Sequence, residues 1–280
     1  MKNTFTKGEQ SASYKLLSVL ALMILAFFFI FPLYWIITGS FKDALTINLP
    51  KPQWFPLAPT TQNYINLFKQ PAFQWLLNTI IISVGAMILT CFTASLAGYA
   101  LAKKRFYGQT ILFTLFVCAM ALPKQVIVIP LLQEMSALHL NNTLLAVILP
   151  TVGWPFGVFL MKQFSETIPT EILEAARVDG AGEVRTFATI VFPMIKPGIG
   201  ALAIFTFVNT WNDYFLQLIM LQKREVFTLP LGIARLQGEV SSDFGLIMAG
   251  ATLAAIPIVT VFLCFQKHFT QGITMGAVKG

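Results

Sequence analysis

Two ionisable side chains stand inside otherwise apolar stretches of this chain, Lys124 and Asp213. Removing a charge from water is costly unless it is paired or used, so each is a candidate functional group. Each lies a comparable distance into its stretch, and both stretches are expected to run the same way. The two residues are therefore expected at similar depth, close enough to approach or pair. Asn209, Trp211, Asn212 and Tyr214 flank Asp213 with hydrogen-bonding groups and an aromatic face. That combination could hold a sugar, and it could equally lock helices together. No acid–base or nucleophile constellation accompanies it. The chain lacks a G-x-x-x-x-G-K-[ST] phosphate loop, so it is not expected to hydrolyse ATP itself. His139 and His268 stand alone, which gives no metal-ligand cluster. Cys91, Cys118 and Cys264 fall in apolar stretches and are expected as small buried hydrophobes, not as a disulfide framework.

A second constellation is polar and small. The segment Pro169 to Gly180 contains Glu174-Ala175-Ala176 and is followed by Ile190 and Pro193. Pro169 suits a helix start, and Glu171 and Glu174 suit the positive end of its dipole. Gly180 suits the left-handed residue that ends it. A second short helix is expected from about Glu183 to Ile190, stopping before Pro193. Ala175, Ala176, Gly180, Ala181 and Gly182 give a low profile that lets another surface approach the backbone, while Ile172, Leu173 and Val178 add apolar contact. A connecting turn needs only a few residues, whereas this polar segment runs over about 165–196. Docking onto a soluble subunit accounts for the excess.

The elements that must position these groups are membrane spans. The chain is 56% hydrophobic and only 11% charged, against about 25% charged in soluble domains. Six apolar stretches are long enough to cross a bilayer core as helix, at about 16–38, 73–101, 109–131, 141–163, 197–221 and 244–266. Continuous runs such as Ile80-Ile81-Ile82 exclude the alternation of barrel strands. The expected fold class is all-α: a polytopic membrane protein with six transmembrane helices in one domain. Lys2, Lys7 and Lys15 precede the first stretch as a signal peptide's basic region would. The stretch is too long, however, and ends at Pro32, Tyr34 and Trp35 without a cleavage site, so it is expected to remain. Of the nineteen Lys and Arg residues, twelve fall in the N-terminal arm, the 103–105 cluster, the 162–196 region and the tail. The positive-inside rule then puts both termini in the cytoplasm. The net charge of +7 reflects this asymmetry and calls for no nucleic acid.

Pro123 and Pro130 interrupt the third span, and Pro150, Gly153, Pro155 and Gly157 the fourth, with Pro257 in the sixth. Such breaks allow helices to rock or unwind. The outer loop at about 39–72 is rich in Pro and aromatics and is expected to fold on the membrane surface. A self-sufficient secondary transporter would need an inverted repeat and intramembrane acids, yet no repeat is visible and Asp213 is the lone acid. An intramembrane enzyme or receptor would need a catalytic pair or a sizeable soluble domain, and neither is evident.

The spacing of Glu174-Ala175-Ala176, Gly180, Ile190 and Pro193 resembles the signature loop of importer-type ABC permease subunits, with Phe192 where that loop usually carries Leu. The wider chain resembles the second permease subunit of carbohydrate-uptake systems of the maltose type. That likeness runs through Leu122-Pro123, Pro155-Phe156-Gly157, Trp211-Asn212-Asp213 and the tail Gly272-Ile273-Thr274 to Lys279-Gly280. The resemblance implies the type I importer fold in a bacterial-type cell membrane. It also implies a second permease subunit, two cytoplasmic ATPases that bind ATP and Mg, and an extracytoplasmic sugar-binding protein. The loop would be the coupling helix seated in an ATPase cleft: Glu174 making a polar contact, Ala175 and Ala176 packing closely, Gly180 turning the chain, with Asp179 and Ala181 beside them. Gly272, Thr274, Gly276 and Lys279 would contact the ATPases. Peptide, amino-acid and phosphate substrates remain open, although the tail favours carbohydrate.

Overall fold

A computed structural model describes residues 12–239 and 243–277, with side chains over 14–238 and 243–264. Every regular element among the described residues is helical. The first is α1 (Ala12–Ser40), followed by two short surface helices, α2 (Ala44–Ile47) and α3 (Gln62–Lys69). The central element is α4 (Ala72–Lys103), which runs unbroken because its interior carries no proline. Then come α5 (Gln109–Met120), α6 (Lys124–Ala137), α7 (Leu145–Val152) and α8 (Phe156–Glu166). The polar segment forms α9 (Thr170–Val178), α10 (Glu183–Thr186), a π-helical turn (Phe187–Val191) and α11 (Phe192–Met194). The chain closes with α12 (Lys196–Trp211), α13 (Tyr214–Met220), a 3-10 turn (Arg224–Val226), α14 (Leu229–Glu239) and α15 (Phe244–Ala277).

Helix α4 is the axis of the bundle, packed chiefly against α8 and α12. Two apolar clusters share it. One gathers Trp75, Phe227, Leu229 and Leu246 at one end, and the other gathers Tyr99, Met161, Leu173 and Ile195 at the opposite end. Backbone groups freed by the connecting loops are met by side chains from α4: Trp75 Nε1 donates to the Arg224 carbonyl at 2.9 Å, and Asn78 Nδ2 to those of Glu225 and Phe227 at 2.9 Å. By contrast, α1 packs mainly on α15 and leaves Leu22, Phe28 and Phe29 exposed, an arrangement lipid tolerates because its tails are as apolar as the side chains.

The expected continuous spans correspond to α1, α4 and α15, the three single helices among the described residues that are long and apolar enough to cross a membrane. The other expected spans are broken. The stretch expected at 109–131 is α5 and α6 at 109° to one another. Pro123 lacks an N–H and restricts the residue before it, so α5 ends at Met120 and α6 starts afresh at Lys124. The stretch expected at 141–163 is α7 and α8, bent by 40° around Gly153–Pro155. That expected at 197–221 is α12 and α13, interrupted at Asn212 and Asp213, and a 75° bend at Ile195 sets α12 off from the segment Glu183–Met194. Cys118 and Cys264 are exposed instead of buried, and Cys91 is half-buried; on an apolar exterior a small hydrophobe needs no cover. The basic arm with Lys2 and Lys7, and Lys279 of the tail, lie outside the described residues. Gly272, Thr274 and Gly276 fall on the last part of α15, beyond the described side chains.

Candidate functional site: an exposed loop at one end and a cavity at three helix breaks

Helix α9 is amphipathic at helical spacing. Leu173 is buried in a cluster with Ile168, Val191 and Ile195, and Ala176, three residues on, is buried on the same side. Glu171, Ile172, Glu174, Ala175 and Val178 face outward. Leu173 and Ala176 therefore anchor the loop to its own bundle and do not present it to a partner as expected; Ala175 is the alanine on the outer face. Gly180 terminates the helix as expected, with φ of 76°. The Ala181 amide donates to the Ala176 carbonyl at 2.9 Å and the Gly180 amide to that of Arg177 at 3.0 Å, the two bonds of a Schellman end. A Cβ at Gly180 would meet nothing within 4 Å; the requirement there is conformational, since L side chains avoid that φ.

The second short helix does not stop ahead of Pro193 but continues to Met194. It does so by widening into the π turn at Phe187–Val191, which accommodates the proline ring where an α-turn would clash. Ile190 is half-buried on that turn, and Asp179 and Pro193 are exposed. Val178 and Val184 stand 88% and 83% exposed on either side of Gly180, a small apolar surface with no cover from the described residues.

The loop is also held from α4. Lys103 Nζ donates to the Ile168 carbonyl at 2.6 Å, and Lys104 pairs with Glu183, which Arg177 reaches at 3.5 Å. The Lys104 ammonium beside Glu183 holds that carboxyl below its ordinary range, with Arg177 adding to the effect. In the sequence, Lys103 and Lys104 register only as topology charges; that they grip a segment far along the chain is visible only in three dimensions.

At the three helix breaks the geometry is different. Lys124 opens α6 and Asp213 caps α13, and Lys124 Nζ lies 3.0 Å from Asp213 Oδ2. Asp213 Oδ1 accepts from the Leu216 amide at 3.1 Å. A cation at a helix N-terminus meets the positive end of the dipole, and the Asp213 carboxylate offsets that cost. The Lys124 ammonium also lies 5.3 Å from the Trp154 ring at the α7–α8 break. Together these breaks wall a partly open cavity lined by Lys124, Thr151, Trp154, Phe156, Asn209 and Asp213 among others.

Of the six residues singled out for this site, Lys124, Asn209 and Asp213 line the cavity. Trp211 does not: it is 1% exposed and stacks on Phe207 at 5.5 Å. Asn212 donates to the Val208 carbonyl on its own helix at 2.8 Å, and Tyr214 is exposed away from the cavity wall. Thr151 and Trp154 were not identifiable as lining residues. The density of Pro and Gly around them marked the break, but not which neighbours would face inward.

Residues 92–275 match the family described as binding-protein-dependent transport system inner membrane component. The arabinooligosaccharide transport permease AraQ of Bacillus subtilis (strain 168) is 33% identical, over 98% of this chain and 99% of its own length. The melibiose, raffinose and stachyose import permease MelC of the same organism is 33% identical, over 98% of this chain and 100% of its own. Among solved structures, a bacterial ABC transporter involved in the import of the acidic polysaccharide alginate superposes with a TM-score of 0.81 at 20% identity. That match covers 93% of this chain and 99% of the other.

Proposed function

The chain belongs to the family of binding-protein-dependent transport system inner membrane components, and from that membership we propose that it forms half the membrane pathway of an ABC importer for a sugar or oligosaccharide. The observation that carries the sugar assignment is the near full-length similarity to two permeases of oligosaccharide uptake. The chain works as a transport subunit without an ATPase site of its own. ATP and Mg bind to two cytoplasmic partner ATPases, a related second permease completes the pathway, and an extracytoplasmic binding protein delivers the sugar.

The chain is one transmembrane unit in the cell membrane with six crossings: α1, α4, α5–α6, α7–α8, α12–α13 and α15. Both termini are cytoplasmic. Two facts support this arrangement. The positive-inside count favours it, and segments assigned to one side meet one another. Lys103 and Lys104 contact the 166–183 region, while Asn142 Oδ1 accepts from the Gln222 amide at 2.6 Å and Trp75 reaches Arg224.

Helix α9 and the turn at Gly180 couple the permease to the ATPase. Leu173 and Ala176 fasten the helix to the bundle, so a push on its outer face is transmitted to α8 and α12 instead of being lost in a slack loop. Glu174, Ala175, Asp179 and Ala181 meet the ATPase cleft, flanked by Val178 and Val184, while Ile190 and Pro193 hold the return. Residues Gly272, Thr274, Gly276 and Lys279 of the tail contact the ATPase pair. Closure of the ATPases brings the two coupling loops together and turns the permease pair outward; the drive is their differential affinity for ATP in the two conformations.

Purification of the tagged chain in mild detergent from its native membrane tests this. Wild type should carry an ATPase and a second permease, whereas Gly180→Trp and the less strained Val178→Asp should lose the ATPase and keep the permease. A chain that purifies alone and transports solute in liposomes would overturn the assignment.

A further inference from the structure

We propose that the cavity at the three helix breaks is a subsite for an uncharged carbohydrate unit, held by this chain's own half of the pathway. The proposal rests on the sugar-import reading above. Charge is the first argument. Among the described residues, Lys124 and Asp213 are the only ionisable groups on the cavity wall, and they cancel at 3.0 Å. Both carboxylate oxygens are already engaged, one by Lys124 and one by the Leu216 amide. An acidic sugar or a phosphate would compete for Lys124 and strand the Asp213 charge in a wall of low dielectric. A neutral ligand disturbs neither.

Hydrogen bonding is the second. An ammonium has three N–H donors, and one of those on Lys124 goes to Asp213. Asn209 spends its Nδ2 on the Phe205 carbonyl at 2.8 Å, leaving Oδ1 without a partner among the described residues. The wall thus offers donors together with an acceptor, a set that hydroxyl groups satisfy and that an acceptor-only anion cannot.

Shape is the third. Phe156 and Phe205 lie with ring centroids 4.4 Å apart, and Trp154 stands beside the Lys124 ammonium. Aromatic rings give flat apolar faces against which the C–H face of a sugar ring can rest.

The test uses the complete complex with its partner permease, ATPases and binding protein. Uptake into proteoliposomes is measured for arabinotriose, raffinose, maltotriose and cellotriose as neutral probes and for alginate trisaccharide as the acidic one. Equilibrium dialysis then measures binding of the accepted labelled sugar to the detergent-solubilised complex without the binding protein. The expected result is uptake of one or more neutral probes but not of alginate trisaccharide. Asn209→Leu and Phe205→Ala, both at exposed positions on α12, should each weaken direct binding at least about ten-fold in complexes that still assemble, with Asn209→Gln recovering part of the loss. Asp213→Asn keeps a capping oxygen but uncovers Lys124, and should raise uptake of alginate trisaccharide relative to the neutral sugar. Sugar uptake with unchanged direct binding in both Asn209→Leu and Phe205→Ala overturns the subsite and leaves the importer assignment intact. Preference of the wild type for alginate trisaccharide overturns the neutral class. Uptake of no sugar of either kind overturns the import reading and the subsite with it.

Discussion

Glu183 shows how much an exposed residue on the coupling loop contributes. Its pairing with Lys104 holds the carboxyl below the usual carboxylate range, so the folded state favours the ionised form. The resulting stabilisation is complete above the ordinary carboxylate pKa and is lost as pH falls through the lowered one. Both partners are open to water, with side chains 27% and 61% exposed, which limits the contribution to under about 1 kcal/mol. Glu183→Gln should therefore unfold slightly below wild type at pH 7, and the gap should close in acid; melting curves of the purified protein from pH 7 to pH 3 measure it. A gap that widens in acid would show that the pair is not the cause. Asp213 differs in kind, because one carboxylate both caps α13 and neutralises Lys124. The sequence marks both charges as costly, and their comparable depth points to a pair, but the capping role depends on where α12 breaks.

At the scale of elements, close approach of backbones sets the bundle. A Cβ added at Gly98 would lie 2.6 Å from backbone atoms of Met161 and Lys162, so α4 and α8 would have to part. Gly98→Ala should cost about 1–3 kcal/mol and appear as a lower melting temperature and poorer yield. Gly153→Ala, whose nearest neighbour would be 3.6 Å away, should stay within about 0.5 kcal/mol of wild type. Equal losses from both would remove the packing explanation. The elements differ in how legible they are. The end of α9 at Gly180 is readable because the Schellman turn is local and needs one residue type. The inward face of Leu173 and Ala176 is not, because which side of a short helix is buried depends on what lies beneath it. The π turn before Pro193 escaped for a similar reason: proline signals a stop, and packing of Val191 and Ile195 overrides it.

The whole molecule is a bundle with opposed ends, and its orientation has a direct check. With the native cysteines replaced by alanine, Leu57→Cys and Tyr107→Cys fall at positions 84% and 104% exposed. A membrane-impermeant maleimide should label Leu57→Cys in intact spheroplasts and Tyr107→Cys only after permeabilisation; the reverse pattern would invert the proposed topology. The sequence by itself determined the apolar character and the helical class, because composition and run length decide whether a segment survives in lipid without water to satisfy its backbone. It also determined the family, through spacings that belong to one loop. Only the tertiary structure decided that three of the six expected spans are broken and that their breaks meet. The same is true of Lys124, Asn209 and Asp213 facing one cavity while Trp211 is packed away. Those outcomes depend on the angle at which helices leave Pro123, Pro155 and Asn212, and that angle is set by what each helix packs against, not by the residues at the break.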